Sequence, residues 1–132
     1  MNMDRFKRRV WDKERGRMHY GDMDNLMFGL GGMLFWQFAY GSPEPISGDE
    51  RDNYVSMDCT GLKDSEGTLI YEGDVVEATD KLNKGDRAQV VWKNQGFAWE
   101  VIGQRSYIGP FREFKVLGNI YEHPSLLEAD EI

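Results

Sequence analysis

Apolar positions along the 132-residue chain fall in short runs rich in Val, Ile, Tyr, Phe and Trp, broken by Gly, Asn and Asp, and sustained helical periodicity is scarce. That pattern predicts an all-β or mainly β fold. Residues 5–11 and 17–20 flank a polar turn, Asp12-Lys13-Glu14-Arg15-Gly16, and read as a hairpin in which Gly16 takes positive φ. Phe6, Arg8 and Val10 share one face of the first strand, so Arg8 is expected near a sheet edge or against an acid.

Residues 23–40 are the hardest to read. Asp22 or Asp24 is placed to cap a short helix through Phe28, ended by Gly29, Gly31 and Gly32. Residues 33–40 then read as a strand apolar on both faces. Such a strand needs cover on two sides, from the core or from a neighbouring subunit, and both readings stand. Leu30, Leu34, Phe35, Trp36, Phe38 and Tyr40 are the candidate oligomer interface. Residues 41–52, with two prolines, two glycines and several acids, read as a linker. From Tyr54 onward strand signals repeat. Five short strands in fewer than 70 residues suit a small, strongly bent barrel. The expected organisation is an N-terminal hairpin and oligomerisation segment over residues 1–45, a β-barrel over 53–127 and an acidic tail over 128–132.

Composition narrows the function classes. Apolar residues make up 40% and charged residues 30%, enough for a packed core. Sixteen Lys and Arg against 23 Asp and Glu give a net charge of −7, which argues against non-specific duplex binding. The charge is uneven. Residues 1–20 hold seven basic and three acidic side chains, net +4, leaving −11 for the rest. A basic first segment can dock on an acidic surface of its own or a neighbouring chain, or contact an outside anion. Cys59 is the single cysteine, so neither an internal disulfide nor an all-cysteine metal site is available. No apolar h-region follows the first basic residues. The most apolar stretch, residues 26–40, is interrupted by Gly29, Gly31, Gly32 and Gln37 and falls short of the roughly 20 apolar residues of a membrane span. The expectation is a cytoplasmic protein.

Chemical motifs are few. Gly29-Leu30-Gly31-Gly32 lacks the lysine and the strand–helix context of a phosphate loop. His19-Tyr20-Gly21-Asp22 reads as a surface turn, His123 before Pro124 as a surface or capping residue, and Cys59 as a core filler. The acids Asp58, Asp64, Glu66, Glu72 and Asp74 fall largely on turns and read as caps. The aromatics Trp92, Phe97, Trp99, Tyr107 and Phe111 are the stronger lead. Alternation places Phe97, Trp99 and Val101 on one face, either as core or, with Trp92, Phe97 and Trp99, as a partner-binding patch. No catalytic residue, metal ligand or cofactor is expected. The rival to protein–protein binding is a nucleic-acid-binding module using Arg5, Lys7 and Arg9 with the aromatics.

Three stretches carry a family resemblance. Residues 60–76 read Thr-Gly-Leu-Lys-Asp-Ser-Glu-Gly-Thr-Leu-Ile-Tyr-Glu-Gly-Asp-Val-Val, residues 116–127 read Val-Leu-Gly-Asn-Ile-Tyr-Glu-His-Pro-Ser-Leu-Leu, and Arg9-Val10-Trp11-Asp12 stands near the start. Together they resemble the signature of the YopX family, small proteins encoded by bacteriophages and prophages. Arg8 stands where the family often has an aromatic and His123 where it often has Asn, and residues 23–52 match poorly. The resemblance implies an SH3-like β-barrel in the C-terminal half and an N-terminal β-rich part that helps assemble oligomers. It implies no activity and carries over no catalytic residue. Physically the signature is made of turns and core. Gly61, Gly67 and Gly73 sit where turns need positive φ, and Asp64 and Asp74, the latter ending the turn Tyr71-Glu72-Gly73-Asp74, can accept bonds from turn amides. Leu62, Ile70 and Val75 are expected in the core with Val116 or Leu117, and Gly118, beside Asn119, is expected at a bulge or a close backbone approach.

Overall fold

In a computed structural model of the full chain, the described residues are 6–20, 26–28, 34–36, 44–46, 48–81, 85–93, 96–102 and 113–128. They form a mainly β structure in which every described strand pairing is antiparallel. Contacts divide it into two compact units, one over Phe6–Asp58 and one beginning at Cys59.

The first unit opens with the expected hairpin, β1 (Arg8–Asp12) and β2 (Arg17–Tyr20), in the register Val10↔His19 and Asp12↔Arg17. Arg8 meets an acid as its pattern required, with Nε 2.9 Å from Asp58 Oδ1. Three short strands follow, β3 (Leu26–Phe28), β4 (Leu34–Trp36) and β5 (Glu44–Ile46), paired in the order β3-β4-β5. A 3-10 helix, Gly48–Asn53, leads into β6 (Tyr54–Lys63). The first half of β6 lies against β1 in the register Arg8↔Asp58 to Asp12↔Tyr54. Val10, Leu34 and Ile46 form the buried core of this unit, with Tyr54 packed on it.

Two expectations are corrected here. The helix through Phe28 is a strand. A three-residue strand is too short to show a period, so the capping aspartates dominated the sequence signal. The stretch read as a linker over 41–52 contains β5 and most of the 3-10 helix, and Ile46 is core, so its described residues are folded chain. The division between the two units falls at Asp58 and Cys59, within β6.

The second unit starts with the remainder of β6, which pairs with β7 (Leu69–Tyr71). The register slips from Cys59↔Tyr71 to Lys63↔Leu69, so four steps on β6 match two on β7 and the strand bulges at Thr60-Gly61-Leu62. Thr60 Oγ1 donates to the Ile70 carbonyl at 2.9 Å, inside the bulge. Leu62 is therefore turned outward and is 52% exposed, contrary to the core position expected of it. Four further strands, β8 (Asp74–Ala78), β9 (Arg87–Lys93), β10 (Gly96–Val101) and β11 (Phe114–Asn119), make a sheet in the order β10-β9-β8-β11. A 3-10 turn, Pro124–Leu127, ends the described chain. Ile70, Val76, Ala78, Ala88, Val90, Trp99 and Val101 form the core, with Phe97, Phe114 and Val116 packed against it. Val75 is buried as well.

Candidate functional site

The acids of the signature are turn anchors. Asp64 opens the β6–β7 turn, where the Gly67 amide donates to its carbonyl at 3.0 Å. Its Oδ1 accepts the amides of Glu66 at 2.9 Å and Thr68 at 2.8 Å, and its Oδ2 accepts the amide of Val116 on β11 at 2.9 Å. Burial alone would raise the pKa of this carboxyl. The amides of Val116, Thr68 and Glu66 outweigh burial and hold it below its ordinary value. Asp74 is buried and its Oδ2 accepts the Tyr71 amide at 2.8 Å. Gly67 and Gly73 take φ of 83° and 90°, as the turn reading required, Gly61 takes 82° in the β6 bulge, and Gly16 takes 62° in the first hairpin.

The C-terminal motif is built in the same way. Asn119 Oδ1 accepts the amides of Tyr121 at 3.1 Å and Glu122 at 2.8 Å, while its Nδ2 donates to Glu122 Oε1 at 2.9 Å. The β8–β11 register shifts between Val116 and Gly118, which is the expected bulge. A Cβ at Gly118 would collide with the imidazole of His123. The nearest atom of that ring, Nδ1, accepts the Asn119 amide at 3.4 Å. A side chain at 118 would thus have to turn the exposed His123 ring aside and give up its bond from the Asn119 amide.

A second polar cluster lies in the first unit and is not visible as a sequence motif. Asp12, completely buried, accepts from Asn53 Nδ2 at 2.8 Å and from the Arg15 amide at 3.1 Å on Oδ1. On Oδ2 it accepts from Arg15 Nη1 at 3.0 Å and from His19 Nε2 at 3.2 Å. An ionised carboxylate only accepts, so Nε2 of His19 carries the proton. Burial opposes ionisation of Asp12. The bonds from Asn53, Arg15 and His19 prevail and hold its pKa well below the usual carboxylate range. Asn53 also accepts the Glu14 amide on Oδ1 at 2.8 Å, and the Lys13 amide donates to the Asn53 carbonyl at 3.1 Å. His19 is therefore no surface-turn residue. It sits in β2, 5% exposed, against Asp12.

The aromatic lead divides. Trp99 is 2% exposed and packs edge-to-face on Phe114 with ring centroids 4.5 Å apart, so it is core and is removed from the candidate patch. Trp92 stands directly opposite Phe97 in the β9–β10 register and meets it edge-to-face at 4.8 Å. Trp92 remains 49% exposed while Phe97 rests on the core. The core face of this hairpin thus runs out to solvent at Trp92. Tyr107 and Phe111 lie outside the described residues.

Of the candidate interface residues, Leu34 is buried in the core of its own unit and Phe35 is half-buried on β4. Leu30, Phe38, Tyr40 and the side chain of Trp36 lie outside the described residues, as do Arg5 and Asp22. Cys59 is fully buried, and its Sγ accepts the Gly61 amide at 3.4 Å. Among the described residues no three His, Cys, Asp or Glu side chains are grouped as metal ligands would be. Nor is any helix among them long and apolar enough to cross a membrane.

A family model described as YopX protein matches residues 7–128. Two solved structures share the fold. Protein yopX from Bacillus subtilis is 24% identical with a TM-score of 0.62, and the match covers 97% of this chain and 100% of that one. Protein EF1440 from Enterococcus faecalis is 24% identical with a TM-score of 0.59, and the match covers 92% of this chain and 97% of that one. No curated protein matches the chain.

Proposed function

Because the chain belongs to the YopX family, we propose that it is a non-enzymatic phage or prophage accessory protein that acts in the host cytoplasm by binding other protein chains, copies of itself included. In this reading the second unit is an SH3-like barrel serving as a rigid module. The observation that carries the proposal is the contrast between the polar and the aromatic groups. The buried side chains Asp12, His19, Asp64 and Asp74 are bonded within the chain, whereas Trp92 presents half its surface to solvent beside Phe97. An aromatic packed on a neighbouring ring and open to water on its other side is a common anchor for protein partners.

The nucleic-acid rival rests on the basic first segment. Part of that charge is already matched, since Arg8 pairs with Asp58 and Arg15 with Asp12, and Arg9 is buried. The test combines sedimentation of the full chain at micromolar concentration with capture of partners from host lysate, each repeated with Trp92→Ala. Assembly or capture weakened about tenfold or more by the substitution supports the reading. A monomer that captures nothing, yet shifts single-stranded DNA or RNA at low salt, overturns it in favour of the rival.

A further inference from the structure

Strand β11 lies at one end of its four-stranded sheet, and among the described residues it pairs as a strand with β8 alone. Its far side is nonetheless occupied. The Thr79 amide donates to the Glu113 carbonyl at 2.8 Å on the β8 side. By alternation the Phe114 carbonyl and the Val116 amide therefore point away from β8. Both are met by the β6–β7 turn. The Ser65 amide and Oγ donate to the Phe114 carbonyl at 3.1 and 2.9 Å, and Asp64 Oδ2 accepts the Val116 amide at 2.9 Å. Residue 65 thus makes one rung of a parallel strand, with the Asp64 carboxylate standing in for its carbonyl.

We infer that the Asp64–Ser65 turn guards the outer edge of β11 against pairing with β11 of a second copy. An open edge offers a donor and an acceptor in strand register, and in a purified solution the strands at hand are those of the same chain. Lys115, between the two bonded residues, is a second deterrent of the kind edge strands carry, although its Nζ lies 3.9 Å from Glu77 Oε2 on β8. The inference does not depend on Trp92 or on the proposed assembly role, because it concerns an association that the native turn prevents.

Two substitutions open the edge by different routes. Asp64→Asn offers one oxygen and one NH2 group where two oxygens served three amides, so the turn amides and the Val116 amide cannot all be accepted. Ser65→Pro removes the donors to the Phe114 carbonyl but suits the second position of the Asp64–Gly67 turn, so the fold is kept. Each is compared with the wild-type chain by sedimentation from about 10 μM to 1 mM and by amide hydrogen exchange, with circular dichroism reporting the fold. The expected result is folded variants that self-associate at least about tenfold more tightly than wild type, with the Val116 amide of Asp64→Asn exchanging faster when dilute and protected again when concentrated. Folded variants that sediment as wild type throughout overturn the inference. Loss of the fold in both variants without association also overturns it, since the turn is then an ordinary stabilising element.

Discussion

Asp12 and Asp64 do the same work with different partners. Each is a buried carboxylate at a turn beside a strand, accepts several hydrogen bonds and is held ionised below its ordinary pKa. Asp64 is held by backbone amides, two of them within four residues. Asp12 is held largely by side chains, and one of these, Asn53, is 41 residues away. An amide is present whatever the residue type, so Asp64 needs correct local geometry and little else. Asp12 needs Asn53, Arg15 and His19 to be those residues. The first arrangement tolerates drift around it, while the second is vulnerable at four positions.

The comparison is most exposed to Asp12→Ala. Removing the carboxylate strands buried His19 and half-buried Asn53, and we expect a loss of about 4 kcal/mol in urea unfolding. Hydrogen exchange should localise that loss to residues 8–20 and 54–58, and a loss spread evenly over both units would show that they unfold together. Asp64→Ala should lose about 3 kcal/mol, because three amides are left without an acceptor. Substituting Glu66 by Ala should leave the Asp64 amide bonds in place, whereas Thr68→Ala also removes the side-chain bond of Thr68 to Asp64, which separates backbone from side-chain anchoring. Asn53→Ala should lose about 2 kcal/mol, through the bonds to Asp12 and from Glu14. Smallest is the effect of acid. Both carboxylates have lowered folded pKa values, so the unfolded chain takes up protons first as pH falls. Their contribution is fully present above the ordinary aspartate value of about 4 and drains away below it. Between about pH 7 and 4 the loss from Asp12 should stay under about 1 kcal/mol, and Asp12→Asn should flatten the steeper fall at lower pH.

The same contrast explains what could be read from the sequence. The Asp64 turn was legible because acceptor, amides and Gly67 lie within five residues, and turn chemistry is local. The strands from β8 onward were legible from short β-branched and aromatic runs between turns, and alternation placed Phe97, Trp99 and Val101 on one face. Alternation does not say whether that face is covered, so Trp99 and Trp92 looked alike until the depth of the core separated them. The Asp12 cluster was hidden because Asn53 meets Asp12 only when β1 pairs with β6, a contact with no local signal, while Arg15 and His19 reach it within the hairpin. His19 pointed towards Asp22 in sequence and found Asp12 across the hairpin. Leu62 was misread because a bulge moves it relative to its neighbours on β7, and bulges leave no periodic trace.

The slot that His123 occupies above Gly118 has a consequence for natural variation. Most positions of a protein can explore alternatives by small accommodations, but here the smallest side chain already evicts an aromatic ring. A saturation library of this chain selected for folding should favour glycine at 118, since any other residue must first turn the exposed His123 ring aside. The position opens to alanine or serine in those clones where 123 has also shrunk.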